Sequence, residues 1–489
     1  MLAFAAVGAL VLLLSTQPVP HALAGGPPAL KGIRVSGNHL VNFDGQPVRL
    51  IGVNRSGTEY ACIRGWGTFE GPTDATHIQL IHDWHANAVR IGLNEDCWLG
   101  INGVAANYGG ATYQQSIIDY VNLLTSNGIY AIIDLHWSAP GTAPATSLRP
   151  MPDQDHSVDF WRSVATTFAD NPNVVFDLFN EPYLVTWDCW RDGCVFPGGP
   201  DTGPWQTVGM QSLVTTVRAT GATQPIMLGG LAFANDLSQW QSSMPDDPLD
   251  QLVVSAHVYP FNPCNQAACW DDQIAPLATR VPVVVGEVGT DWTPPNSDVM
   301  AMALMRWADE HHLSYLAWTL NTWGGGDALL TSYSGEPTAW GADFKTHLAR
   351  LAVPRLRPLI EANAAYAKHE VRTAVDLYGQ VLETPASDEE SSSMSAAIDG
   401  LARFRRLVGF TVIGDEDQAA HELASFVEQQ PGAPLARLAA QFWDQYGMTA
   451  SARAACAQLA PQVDSQAVLP IQTLNALGVQ IRHDELCVI

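Results

Sequence analysis

The stretch Asn173-Val174-Val175-Phe176-Asp177-Leu178-Phe179-Asn180-Glu181-Pro182 decides the fold. Between Asn173 and Asn180 it is apolar at every position but Asp177. A second stretch, Val281-Pro282-Val283-Val284-Val285-Gly286-Glu287-Val288-Gly289, repeats the pattern. Apolar runs of this kind suit parallel strands covered on both faces. Each run ends on a glutamate, and a carboxylate is costly there unless the fold uses it.

Working outward, strands are predicted at 48–54, 88–93, 130–137, 174–179, 225–231, 252–259, 282–285 and 313–320. Helical periodicity fills the intervals at 77–84, 114–126, 157–169, 205–219 and 297–311. Strands alternating with helices imply βα units and a parallel sheet. Eight of them fit a closed (β/α)₈ barrel, an α/β fold of the TIM type. A hairpin is expected to precede it, with 33–41 and 47–53 flanking the turn dipeptide Asp44-Gly45. In such a barrel functional groups lie at the C-terminal strand ends. Asn54, Arg90, His136, Asn180, Glu181, His257, Tyr259, Glu287 and Trp318 collect there.

Glu181 and Glu287 would end the fourth and seventh strands, which face each other across the barrel mouth. Two facing carboxyls suit glycoside hydrolysis, one as acid and the other as nucleophile or base. A separation near ~5 Å gives retention of configuration and ~6.5–9.5 Å gives inversion. One must be protonated and the other ionised, and Arg90 and Tyr259 are natural donors to the ionised one.

The set Arg90, His136, Asn180-Glu181-Pro182, His257-x-Tyr259, Glu287 and Trp318 resembles glycoside hydrolase family 5, the cellulase and mannanase family. The resemblance covers about residues 30–350. It implies Glu181 as acid/base, Glu287 as nucleophile, and retention. It further implies Asn180 on the sugar 2-hydroxyl, Arg90 and Tyr259 on the nucleophile, and His136, His257 and Trp318 around the cleaved sugar. The region after the first barrel strand is similar to bacterial endoglucanases. Arg55 and Ser56 depart from it, standing where aromatics are common. The expected substrate is cellulose or a related β-1,4-glucan. β-Mannan or a short oligosaccharide is the alternative within this chemistry. A carbohydrate-binding or protein-docking assembly protein is the alternative outside it, and two intact glutamates argue against that.

Trp66, Trp98, Trp137, Trp187, Trp190, Trp270, Trp292 and Trp323 all follow predicted strands. Indoles suit the apolar faces of pyranose rings, and Trp137 is expected to bind substrate. The plainer reading is that half of them pack loops. Glu59, Glu95 and Asp96 also lie near strand ends, where a surface cation or sugar hydroxyls would be their partners.

The 489 residues carry a net charge of −25, and only Lys31, Lys345 and Lys368 are lysines. No basic stripe exists, so nucleic acid is not an expected partner. No cofactor or metal is expected, since no Cys-x-x-Cys motif occurs. Residues 2–14 are nearly all apolar, and Ala22-Leu23-Ala24 precedes Gly25. Residues 1–24 therefore read as a cleaved export signal and the product as secreted, free of the membrane once processed. Eight cysteines agree with that compartment. The expected bridges are Cys62–Cys97, Cys189–Cys194, Cys264–Cys269 and Cys456–Cys487.

The catalytic barrel is expected to span 25–351. After Leu351 tryptophan almost vanishes and alanine, leucine and glutamine dominate. Residues 352–489 are expected to form a smaller all-α domain. Ala374, Leu377, Val381 and Pro385 are echoed 46 residues later by Ala420, Leu423, Val427 and Pro431. That pattern resembles a tetratricopeptide repeat with an inserted loop at 387–395. An unrelated bundle is the alternative, and a protein-docking role for the tail stays open.

Overall fold

In a computed structural model of the chain, the described residues are 29–198, 203–291, 298–323, 326–387 and 392–430, with single helical positions at 435, 436 and 439. The proposed export signal, Trp292, Cys456 and Cys487 lie outside them.

Eight strands close into a barrel: β1 Ile51–Arg55, β2 Ala88–Asn94, β3 Tyr130–Trp137, β4 Val174–Asp177, β5 Ile226–Gly229, β6 Leu252–Val258, β7 Val283–Val288 and β8 Ser314–Ala317. Every neighbouring pair is parallel. Alternation along each strand sends one residue in two to the barrel axis. The lower inward layer is apolar: Ile132, Val175, Met227, Val253, Val284 and Leu316 pack together there. Two residues further along the same inner face the chemistry changes, to Asp134, Asp177 and Ser255. The barrel is thus a packed plug below and a polar bowl above.

The predicted leading hairpin is corrected. Residues 33–41 do not form one strand, because the chain turns back at Gly37, whose φ is 61°. Arg34–Ser36 pairs antiparallel with His39–Val41. The Asp44-Gly45 turn does form, closing only a single Val41–Pro47 bridge. Ile33, Val35 and Leu40 of this hairpin join the inner apolar layer and seal the lower end of the barrel.

Helices cover the outside. Those of the barrel with nine or more residues, among the described residues, are α1 Ala75–Asp83, α2 Ala111–Ser126, α3 Ser157–Phe168, α4 Met210–Ala219, α5 Val299–Glu310 and α6 Ala339–Ala352. Phe160, Trp161, Val164, Ala165 and Phe168 form the buried stripe of α3, spaced as one helical face. Asp74 caps α1 by accepting from the N–H groups of Thr76 and His77. The helix predicted from Trp205 begins only at Met210, because Trp205-Gln206 pairs with Val195-Phe196 as a small antiparallel ribbon.

Beyond the barrel come α7 Leu356–Ala367, α8 Val371–Glu383, α9 Ser392–Ile413 and α10 Glu416–Gln429. They pack around their own apolar cluster, which includes Leu359, Tyr366, Tyr378, Leu401, Phe404 and Phe426. The 46-residue echo does not place equivalent residues alike. Ala374 and Val381 are buried, whereas Ala420 and Val427 are exposed. Ala419 and Phe426 occupy the inner face of α10 instead, so burial repeats at 45 residues. The inserted loop is also shorter than expected, since α9 already begins at Ser392.

Candidate active site

The bowl is built by one register slip. In β7, Val284 faces inward while Val283 and Val285 face the helices. Strict alternation would then turn Glu287 outward. Instead Ala256 pairs with Val285, and the next residue, His257, pairs with Glu287. The same extra residue shows against β8, where Tyr315 and Ala317 oppose Val285 and Val288. A single-residue bulge thus rotates Glu287 into the bowl. Gly286 is needed there, because a Cβ would fall 2.7 Å from Ser255 Oγ.

Arg90 is the hub. Its Nη1 donates to Oε1 of Glu287 at 2.9 Å and to Oδ1 of Asn54 at 3.1 Å. Its Nε donates to Oδ2 of Asp177 at 2.8 Å, and its Nη2 to Oδ1 of Asn180 at 2.8 Å. Nη2 also lies 3.1 Å from Oδ1 of Asp134. One cation therefore fixes residues from β1, β3, β4 and β7. Tyr259 donates its hydroxyl to the other oxygen of Glu287, at 2.6 Å. His257 Nδ1 lies 3.0 Å from Oε1 of Glu181 and 3.5 Å from Oε2 of Glu287.

The sequence-predicted set is brought together. His136 pairs through Nδ1 with Asp134 at 2.6 Å, and its ring stacks on Trp318 at 5.5 Å and 9°. Trp137, at the tip of β3, packs beside Tyr60 at 6.2 Å. Sequence reasoning misses Asp134 and Asp177 as partners of Arg90. Asp134 lies two residues before His136 and Asp177 four before Glu181, on the strand face that barrel closure turns inward.

Burial raises both Glu181 and Glu287, and the charge of Glu287 raises Glu181 further. Arg90 and Tyr259 act against burial at Glu287 through direct hydrogen bonds. Glu181 meets His257 Nδ1, and burial keeps that ring neutral. Of the two carboxyls, Glu181 is pushed up the further, and Glu287 is the one whose anion is met by direct donors. Burial also pushes Asp134 and Asp177 up to about 7, opposed by Arg90.

The ligand atoms of Glu181, His257 and Glu287 lie within 4.8 Å of one another, a spacing that a metal ion would fit. The fixed guanidinium of Arg90 occupies the same neighbourhood and disfavours a second cation.

Several expectations are corrected. Glu59, Glu95 and Asp96 are buried, not at the surface. Glu59 accepts from the Gly57 N–H at 2.7 Å, and Ser157 donates to Glu95 at 2.5 Å. The plainer reading of the tryptophans holds for Trp98, Trp187, Trp190 and Trp270, which are buried; the indole N–H of Trp190 donates to the Gly229 carbonyl at 2.9 Å. Only Trp66, Trp137 and Trp323 remain open to solvent among the described members of that group. Three of the expected disulfides form, Cys62–Cys97, Cys189–Cys194 and Cys264–Cys269, each tying a loop on the rim.

The sequence profile of the family described as Cellulase (glycosyl hydrolase family 5) matches residues 41–324, more than half of the chain. The chain belongs to glycosyl hydrolase family 5. Among curated relatives, this family 5 chain is 23% identical over 326 residues to Endoglucanase CelA of Streptomyces lividans, covering 65% of this chain and 62% of the relative. It is 32% identical over 157 residues to Endoglucanase MaCel5A of Microbulbifer sp., covering 32% of this chain and 27% of the relative. Over 326 residues it is 22% identical to a mannan endo-1,4-beta-mannosidase of Salipaludibacillus agaradhaerens, covering 63% and 83%. It spans less than two thirds of the two endoglucanases. The crystal structure of beta-glucanase SdGluc5_26A from Saccharophagus degradans superposes with a TM-score of 0.52 at 20% identity, covering 66% of this chain and 95% of that one. The family 5 barrel is thus shared.

Proposed function

We propose that this chain is a secreted, retaining endo-β-1,4-glucanase acting by double displacement. The observation that carries the reading is the approach of Glu181 and Glu287, whose carboxylate oxygens come within 4.8 Å. That approach falls on the short side of the two glycosidase geometries, nearer ~5 Å than ~6.5–9.5 Å, and suits a covalent glycosyl–enzyme intermediate. In the first step, Glu287 Oε attacks the anomeric carbon while Glu181 gives its proton to the departing glycosidic oxygen. In the second, Glu181 takes a proton from water, and the water oxygen displaces Glu287 from the sugar. Arg90 and Tyr259 keep Glu287 ionised and oriented. Asn180, anchored by Arg90, lies beside Glu181 to meet the 2-hydroxyl. His136 and Trp318 floor the site of the cleaved sugar, with His257 supporting Glu181.

Export is supported by three disulfides. A glucan substrate is supported by the endoglucanase relatives, and by a crystal structure of SdGluc5_26A in complex with cellotetraose. β-Mannan remains the second reading, favoured by the mannosidase relative, which the chain covers to 83%. Reducing-sugar release from carboxymethylcellulose, barley glucan, mannan and xylan tests the substrate. Proton NMR of the first product anomer tests retention, and an inverted anomer refutes the double displacement.

A further inference from the structure

Arg55, which departs from the aromatics expected after β1, faces away from the bowl and is 1% exposed. Its guanidinium sits over the rings of Phe69 and Tyr120, at 5.3 and 5.0 Å. Nη2 donates to the carbonyls of Glu70 and Gly71 at 2.8 and 3.2 Å. A buried cation thus pins the backbone of a rim loop at Glu70. From that fixed point the Glu70 carboxylate reaches three aromatics, one of them the Tyr333 hydroxyl, which donates to Oε1 at 3.5 Å. Oε2 accepts from the Tyr60 hydroxyl, and Oε1 accepts from the Trp323 indole N–H at 2.5 Å. Tyr60 is 3% exposed and lies at the centre of three open indoles. Its ring is 6.0 Å from Trp66, 6.2 Å from Trp137 and 4.8 Å from Trp323.

We infer that Glu70 is a positioning residue that holds a three-indole wall for a β-linked pyranose chain. The inference rests on the hydrolase reading above. Glu181 hands its proton to the leaving sugar, so the departing part lies beside the loops after β4 and β5. The wall rises from the ends of β1, β3 and β8. It therefore faces the part of the chain that stays on the enzyme. Indole faces stack on pyranose rings, but mobile indoles lose entropy on binding. Two hydrogen bonds to one carboxylate, itself anchored through Arg55, remove that cost before the sugar arrives. Glu70 touches no reacting atom, so it acts on binding and not on bond cleavage.

The test is steady-state hydrolysis of cellopentaose by the full chain. Glu70→Ala should raise KM about tenfold and leave kcat within about twofold, the signature of lost uniform binding. Trp323→Phe, which keeps a ring but removes the N–H, should do the same to a smaller extent. The double variant should be no worse than Glu70→Ala, because the two changes break one link. Glu70→Gln can still accept from Trp323 and donate to Tyr60, and should restore KM to within about threefold of the unmodified protein. A fall in kcat without a rise in KM, or full additivity of the two single changes, overturns the inference while leaving the hydrolase reading intact. A native chain that cleaves none of the four polysaccharides defeats both. If Glu70→Ala does not fold, Trp323→Phe alone decides: an unchanged KM overturns the inference.

Discussion

Arg90 Nη1 donates to Glu287 Oε1 at 2.9 Å, with both side chains almost sealed from water. Two charges in that position are stable only because the arginine meets four further partners. Arg90→Lys keeps the charge and loses the fork. We expect kcat to fall at least about 10²-fold, and the chain to melt at a lower temperature. With less support for its anion, Glu287 should titrate higher, so the acidic limb of the pH–rate profile moves up in pH. An unmoved acidic limb would show that Arg90 does not hold Glu287.

The two glutamates should separate by leaving group. Glu181→Gln and Glu287→Gln should each lower kcat on a polymer by about 10³-fold or more while remaining folded. On an aryl glycoside whose phenol leaves without protonation, Glu181→Gln should still release a burst of phenol, and Glu287→Gln should not. A burst from Glu287→Gln reverses the assignment.

Glu59 should make stability fall as pH rises. Burial pushes its carboxyl from 4.5 up to about 7. Between those values the folded chain binds the proton more tightly than the unfolded one, so stability is greatest below 4.5 and declines up to 7. The penalty above 7 is about 3 kcal/mol as an order of magnitude. Glu59→Gln removes this contribution and can still accept from the Gly57 N–H. Urea unfolding at pH 5 and pH 8 should show a smaller difference for the variant; an equal difference refutes the prediction.

The bridges should differ in weight by the loops they close. Cys62–Cys97 spans 35 residues and Cys264–Cys269 spans 5. Loop-closure entropy gives about 4 kcal/mol for the first and about 2 kcal/mol for the second. Paired Cys→Ala changes should therefore lower the melting temperature more at Cys62/Cys97. Thiol titration of the unreduced, denatured chain should find no reactive thiol among these four residues or at Cys189 and Cys194.

A shortened chain tests the division into barrel and helical region. Trp340, Phe344 and Leu348 of α6 lie in the main barrel core, so the cut belongs after Ala352 and not inside that helix. Every residue named at the active site precedes it. The kcat/KM per folded molecule on a soluble oligosaccharide should stay within about tenfold of the full chain. A larger loss would mean that the helical region completes the cleft.

The eight strands were legible because a strand covered on both faces has to be apolar throughout, as at 174–179 and 282–285. The glutamates were legible as breaks in that rule. The roles of Asp134 and Asp177 were not, because they depend on which face of each strand points inward, and that follows from barrel closure. The bulge at Gly286 was likewise hidden, since one extra residue in a run of valines leaves no periodic trace. Which of the tryptophans would pack and which would line the cleft was illegible for a different reason. An indole in a rim loop reads the same whether it lines the cleft or packs under a disulfide. Trp98 and Trp190 took the second course, their N–H groups satisfied by Ser163 and Gly229. In the tail, the echo matched small and branched residues by type, yet helix rotation set burial one position away.

The bulge in β7 sets a reading frame for the whole bowl. Glu287 faces inward only because a single unpaired residue precedes it, and every side chain after Val285 inherits that offset. Deleting one residue between Val283 and Gly286 would restore regular pairing with Glu287 still opposite His257, whereas inserting one there would bring Gly286 opposite His257 and set Glu287 against Val258, facing the helices. Anyone remodelling this enzyme by changing segment lengths is therefore free after Val288, where the rim loop begins. Before it the two directions differ: the strand can lose its one unpaired residue and keep the carboxylate, but a single added residue would leave a bare glycine in the bowl and turn Glu287 toward the helices.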